Sequence, residues 1–191
     1  MGAVAAEIEP LFASTHAALV FAFNFSHQAY DRPVMNRMAD GPKRSRKGLV
    51  GLDGAGQAGM IRAAVDALGR EEAMVITARF APRRDRCECR KSCCSGWKAG
   101  REWVGATDWL TQYVLSMALS GCVSHYRLRN GIVRRVFGDE VKLGAIAEQA
   151  EVNRDTVADH AKRITKHLSG IENRAMKAID ERLFKNGIVE R

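Results

Sequence analysis

No stretch of this chain stays apolar long enough to span a bilayer. The longest such run, Leu11 to Phe25, is broken by Ser14, Thr15, His16 and Asn24, and a spanning helix needs about 20 apolar residues in succession. Export-leader features are also missing. Residues 1–31 hold no Lys or Arg, and no small-residue cleavage pattern follows the apolar run. The expectation is a chain of the cytoplasm with no membrane contact, where five cysteines serve as thiols or metal ligands before disulfides. A phosphate loop, a pair of acids poised for proton transfer and a Ser/His/Asp pattern are likewise lacking, so the expectation is not an enzyme. Gly54, Gly56 and Gly59 have Gly-x-Gly-x-x-Gly spacing, but no strand precedes them. That excludes a dinucleotide site and leaves close helix packing as the reason for these glycines.

Positive charge is in excess and unevenly placed. The net charge is +8, yet residues 32–47 carry six basic residues against one acid, and residues 79–101 carry eight against two. Compact basic segments of this kind suit a polyanion. Lys43, Arg44, Arg46 and Lys47, in a loop bounded by turn formers at 40–48, are candidate DNA contacts. With 46% hydrophobic residues the chain also has the means to bury a core.

Apolar spacing predicts helices from Glu7 to Ala29, Leu52 to Leu68, Glu71 to Phe80 and Trp103 to Cys122. A further helix, Ser124 to Phe137, is expected to break or restart near Asn130-Gly131. Phe21, Phe23 and Phe25 fit core packing better than base stacking. Pro82 to Gly100 is a polar loop carrying cysteines. The fold class is mostly α. A helical part spans 1–80, a cysteine-rich basic loop 81–101, and a helical domain 102–191.

Within the last domain, residues 141–167 carry a helix-turn-helix pattern. Ile146 and Ala150 face inward, Ala147 sits at the close approach of two helices, and Val152 plugs the turn. Asn153 caps the second helix, in which Val157, Ala161 and Ile164 recur on the buried side. Arg154, Asp155, Thr156, Ala158, Asp159, Lys162 and Arg163 are left for the outer face, where a recognition helix meets the major groove. Two residue types are unusual for that role. Glu151 stands in the turn where Gly is commonest, and Asp155 and Asp159 put negative charge on the reading face. An amphipathic continuation follows through Leu168, Ile171, Ala175, Ile179 and Leu183.

Cys87, Cys89, Cys93 and Cys94 place four thiols in eight residues of polar loop. Such a loop cannot hold itself by apolar burial, and a tetrahedral zinc with thiolate ligands would cross-link it. Adjacent Cys93 and Cys94 compete for one ion, so Cys122 or His125 is an alternative fourth ligand. Free thiols remain the other reading.

Thr156-Val157-Ala158-Asp159-His160 is similar to the recognition helix of LuxR-type regulators. Phe137-Gly138 followed by Leu143-x-x-Ile146-Ala147 looks like region four of sigma factors. The helix-turn-helix followed by Ile171-Glu-Asn-Arg-Ala-Met-Lys-Ala-Ile-Asp-Glu-Arg-Leu183 resembles the C-terminal half of lambdoid phage Q-type antitermination proteins. That resemblance covers the last third of the chain. It implies binding to duplex DNA near a late promoter, contact with RNA polymerase and sigma factor, and action in a bacterial host cell. The alternatives are a repressor or activator that does not travel with polymerase, and a zinc- or redox-sensing DNA-binding protein. A recombinase is a weaker one, with Tyr126 among arginines as its faint nucleophile candidate.

Overall fold

The structure, a computed structural model, describes residues 10–30, 51–89, 91–92 and 94–190. Among them are seven helices and two short strands, a mostly helical fold. The loop 40–48 with Lys43, Arg44, Arg46 and Lys47 lies outside the described residues, as does Cys93. By internal contact the chain divides into two compact units, Met1–Ala67 with Met176–Arg191, and Leu68–Ala175.

The first unit contains α1 (Thr15–Tyr30), α2 (Gly51–Asp66) and the last turns of the final helix. The start of α1 corrects the expected helix from Glu7. Residues 10–14 are not helical, and Phe12 instead bridges Val189 in parallel. The Ser14 hydroxyl accepts the Ala17 N–H at 3.2 Å, and this cap fixes the helix start. Leu19, Phe23, Ile61, Val65, Ile179 and Leu183 are buried here. The Phe21 ring lies 5.2 Å from Phe12 and 5.3 Å from Phe25, so these aromatics pack with one another. Close packing does not account for all the glycines of α2. A Cβ on Gly56 or Gly59 would meet no atom within 4 Å among the described residues, because both lie on the exposed side of the helix.

The second unit runs through α3 (Arg70–Phe80), strands β1 (Arg84–Arg86) and β2 (Trp97–Ala99), α4 (Arg101–Met117), α5 (Tyr126–Val136), α6 (Leu143–Ala150) and most of α7 (Arg154–Lys185). Its core joins Val75, Leu110, Val114, Ile132, Ile146, Val157, Ile164 and Leu168, each large side chain contributing about 1.5–3 kcal/mol on burial. α4 ends at Met117 rather than Cys122, and the chain turns at Gly121, whose φ of 80° favours glycine.

The expected break at Asn130-Gly131 is absent, because α5 is continuous. Gly131 is there for packing. A Cβ on it would sit 3.2 Å from Ile146 Cγ2 of α6. Gly144 in α6 meets nothing within 4 Å. Thermal melting is therefore expected to separate the two. Gly131→Leu lowers stability by about 1–3 kcal/mol through overpacking, while Gly144→Ala raises it by about 0.5–1 kcal/mol through backbone entropy. Equal effects from both substitutions would contradict this account.

Candidate metal centre and nucleic-acid interface

Residues 82–100 are not simply a loop. β1 and β2 form an antiparallel hairpin with Arg84 opposite Ala99, Asp85 opposite Lys98 and Arg86 opposite Trp97. The cysteines occupy its tip. Its base is tight, since a Cβ on Gly100 would lie 2.0 Å from the Pro82 carbonyl oxygen. Asp85 Oδ2 accepts the Arg101 N–H at 3.3 Å, so a carboxylate sits at the N-terminus of α4, where the helix dipole favours it. At the tip, Cys87 N–H donates to the Gly96 carbonyl at 2.8 Å, and Gly96 turns the chain with φ of 80°.

The Sγ atoms of Cys87, Cys89 and Cys94 lie within 4.8 Å of one another, close enough to hold a metal ion. The Gly96 N–H already points at Cys94 Sγ, at 3.4 Å. The Cys89 thiol is pushed below its usual pKa by the Lys91 backbone N–H and then by the Cys94 and Cys87 thiols. For Cys87 a backbone hydrogen bond at Cys89 lowers the pKa, but hydrogen bonds with the Cys89 and Cys94 thiols outweigh it and leave the group raised. A cation bound by these thiols would take the place of their protons.

Cys122 and His125 do not join this cluster, which corrects their place as a fourth ligand. Cys122 Sγ accepts from Arg163 Nη1 at 3.4 Å, and His125 Nε2 lies 3.1 Å from the Ala150 carbonyl oxygen. Both belong to the link between α4 and α5, which packs toward α6 and α7. The cysteines placed in the described structure are all free thiols.

The other candidate surface is formed by α6, a three-residue turn and the start of α7. Glu151 has φ of 55°, so the turn does require the left-handed backbone, here from a glutamate. Val152 packs partly buried against the core. Asn153 Oδ1 accepts the Asp155 N–H at 2.8 Å, the expected cap. Ile146, Ala147, Ala150, Val157 and Ile164 are buried, and Ala161 half-buried. Asn153, Arg154, Asp155, Thr156, Ala158, Asp159, Lys162 and Arg163 are all exposed. The two acids have local partners. Asp159 pairs with Arg163 at 2.9 Å, and Asp155 sits in the first turn, where the helix N-terminus favours an acid. Arg154 pairs with Glu148 at 3.2 Å, with both side chains largely in water, a contact weak enough to exchange for a ligand.

Spacing along the chain does not single out Arg129 or His160 as inward-facing. Both are buried. Arg129 donates from Nε to the Thr111 carbonyl at 3.1 Å and from Nη1 to the Ser124 carbonyl. Nothing in spacing marks an arginine that turns inward. Tyr126 donates its hydroxyl to Asp108 Oδ1 at 2.8 Å. Burial first, and then Asp108, raise its pKa. It borders an open cleft of about 530 Å³ with Arg127, Asn130, Arg134 and Gln149.

Among the described residues no helix is long and apolar enough to cross a membrane. No family model matches the chain, and no curated protein matches it.

Proposed function

We propose that this chain is a DNA-binding regulator of transcription, with α6, the turn at Glu151-Val152-Asn153 and the start of α7 as a helix-turn-helix module. One observation carries the reading: α7 divides sharply from its first turn. Val157, His160 and Ile164 are buried, while Arg154, Thr156, Ala158 and Lys162 face water beside a capped N-terminus. A second helix anchored on one side and open on the other is the form in which a recognition helix enters the major groove. Duplex DNA is the partner this favours, and the net charge of +8 supports it.

On the resemblance to Q-type antiterminators, the regulator acts on phage late genes with RNA polymerase and sigma factor, in the cytoplasm of a bacterial host. The ion held by Cys87, Cys89 and Cys94 is zinc in this reading. A thiol-rich set suits it, and its role is structural, to cross-link the hairpin.

The test uses duplex DNA selected from a random pool by the intact chain. Its affinity is expected to fall steeply with salt. Arg154→Ala is expected to cost about 1–3 kcal/mol of binding with melting unchanged. Ala147→Leu is expected to lower stability by about 1–3 kcal/mol by overpacking a buried site. If Arg154→Ala leaves affinity and site preference untouched, α7 does not read DNA.

A further inference from the structure

The hairpin presents a face with no task in the reading above. Side chains alternate across paired strands, so the register puts Arg84, Arg86, Trp97 and Ala99 on one face, and all four are exposed. Trp97 is 51% exposed, with the Arg86 guanidinium over its ring at 6.0 Å. Lys98 projects from the opposite face and Arg101 follows directly after β2, both exposed. The acids of residues 79–101 are Asp85 and Glu88, and Asp85 is engaged at the start of α4. Asp139 and Glu140 border the crevice beside Arg84, and Arg86 is the cation that lies directly against the Trp97 ring, so it is the one to test.

A half-exposed indole with the Arg86 guanidinium at its ring matches one ligand chemistry closely. An unpaired nucleobase offers a π-face for the indole, and its flanking phosphates offer charge for the arginines. Duplex DNA keeps its base faces stacked inside. An acidic protein would use the cations but has no need of the flat ring between them.

We propose that this face of the hairpin binds single-stranded nucleic acid, one unpaired base stacking on Trp97 and an adjacent phosphate meeting Arg86. The site is separate from α7 and does not rest on its reading of duplex DNA.

The probe is a short fluorescent oligodeoxythymidine, followed by anisotropy with the full chain. Trp97→Ala is expected to weaken binding roughly tenfold, the loss of one base's aromatic partner, and Trp97→Phe to retain most of it. Arg86→Ala is expected to weaken binding and flatten its salt dependence. Because these side chains are exposed, melting should not change. Should Trp97→Ala melt early, quenching of tryptophan emission by the oligonucleotide, present in the intact chain and absent in Trp97→Phe, decides instead. The proposal is overturned if the intact chain does not bind the oligonucleotide, or if Trp97→Ala binds it as tightly. Equal loss on oligonucleotide and duplex also overturns it. Arg154→Ala keeps the two sites apart, since it should lose duplex and retain the oligonucleotide. If it retains both, the reading of α7 fails and the hairpin site stands.

Discussion

A chelator is expected to melt the hairpin at Arg84–Ala99 while leaving the helical core folded. The side chains of its strands bury little apolar surface. Its strands are three residues each, and of their six side chains only Asp85 is even half-buried. A two-stranded hairpin without an apolar face is marginal in water, and the few cross-strand hydrogen bonds add only about 0.5–1.5 kcal/mol each. Thiolate–zinc bonds are of another order, about 10–16 kcal/mol for structural sites in small peptides. Protein prepared without chelator is therefore expected to carry about one zinc per chain. Cys89→Ser and Cys94→Ser should each lose it. Hydrogen exchange is the sensitive measurement. Chelation should abolish protection at the Cys87 and Gly100 amides, which now donate to Gly96 and Arg83, and leave the amides around Leu110 and Ile132 protected. Protein without metal, with all thiols titratable and the hairpin amides still protected, would sink the prediction.

The parts of this fold legible in the sequence are those where burial repeats at 3.6 residues. Ile164, Leu168, Ile171, Ala175, Ile179 and Leu183 are expected on one face of a helix, and all are buried at 1% exposure or less. The turn was legible for a related reason. Val152 and Asn153 are residue types that a plug and a cap require, and the structure uses both that way. The hairpin was not legible because its strands bury nothing, so Arg-Asp-Arg and Trp-Lys-Ala carry no alternation of apolar and polar. The available signal was weaker: Gly96 and Gly100 placed around Trp97-Lys98-Ala99, after a cysteine run. Gly131 misled for the opposite reason. A glycine that breaks a helix and one that admits a neighbouring helix look alike in one dimension, and only the 3.2 Å approach to Ile146 tells them apart. The thiol set was legible from spacing along the chain. That Cys122 and His125 stand apart from it was not, because both are placed by the packing of α6 and α7.

Arg129→Ala is expected to destabilise the second unit by about 2–4 kcal/mol, and to change how stability depends on pH. Arg129 is 4% exposed. Its guanidinium ties the Thr111 carbonyl of α4 to the Ser124 carbonyl of the following link. Truncation leaves a cavity and strips a buried carbonyl of its donor, and the two costs add. Arg129→Lys should recover little, because a single ammonium cannot span two acceptors as the planar fork does. The pH effect arises at His160, also 4% exposed, whose Nδ1 has no hydrogen-bond partner. Burial lowers its pKa first, Asp159 works against that, and Arg163 and Arg129 lower it further. The folded state thus keeps the ring neutral to lower pH than the unfolded chain does, whose histidine titrates near about 6.5. Below that pH the unfolded chain binds the extra proton, so stability is complete above about 6.5 and declines as pH falls toward the depressed folded value. In Arg129→Ala one opposing charge is gone and water can enter, so the His160 pKa rises and the acid-side decline should shrink. His160→Asn should remove that part of the decline altogether. Urea unfolding across roughly pH 5 to 8 measures both the loss and the slope. An Arg129→Ala protein as stable as the parent would show that the buried guanidinium contributes nothing net. A parallel decline in the two proteins would show that Arg129 does not act on His160.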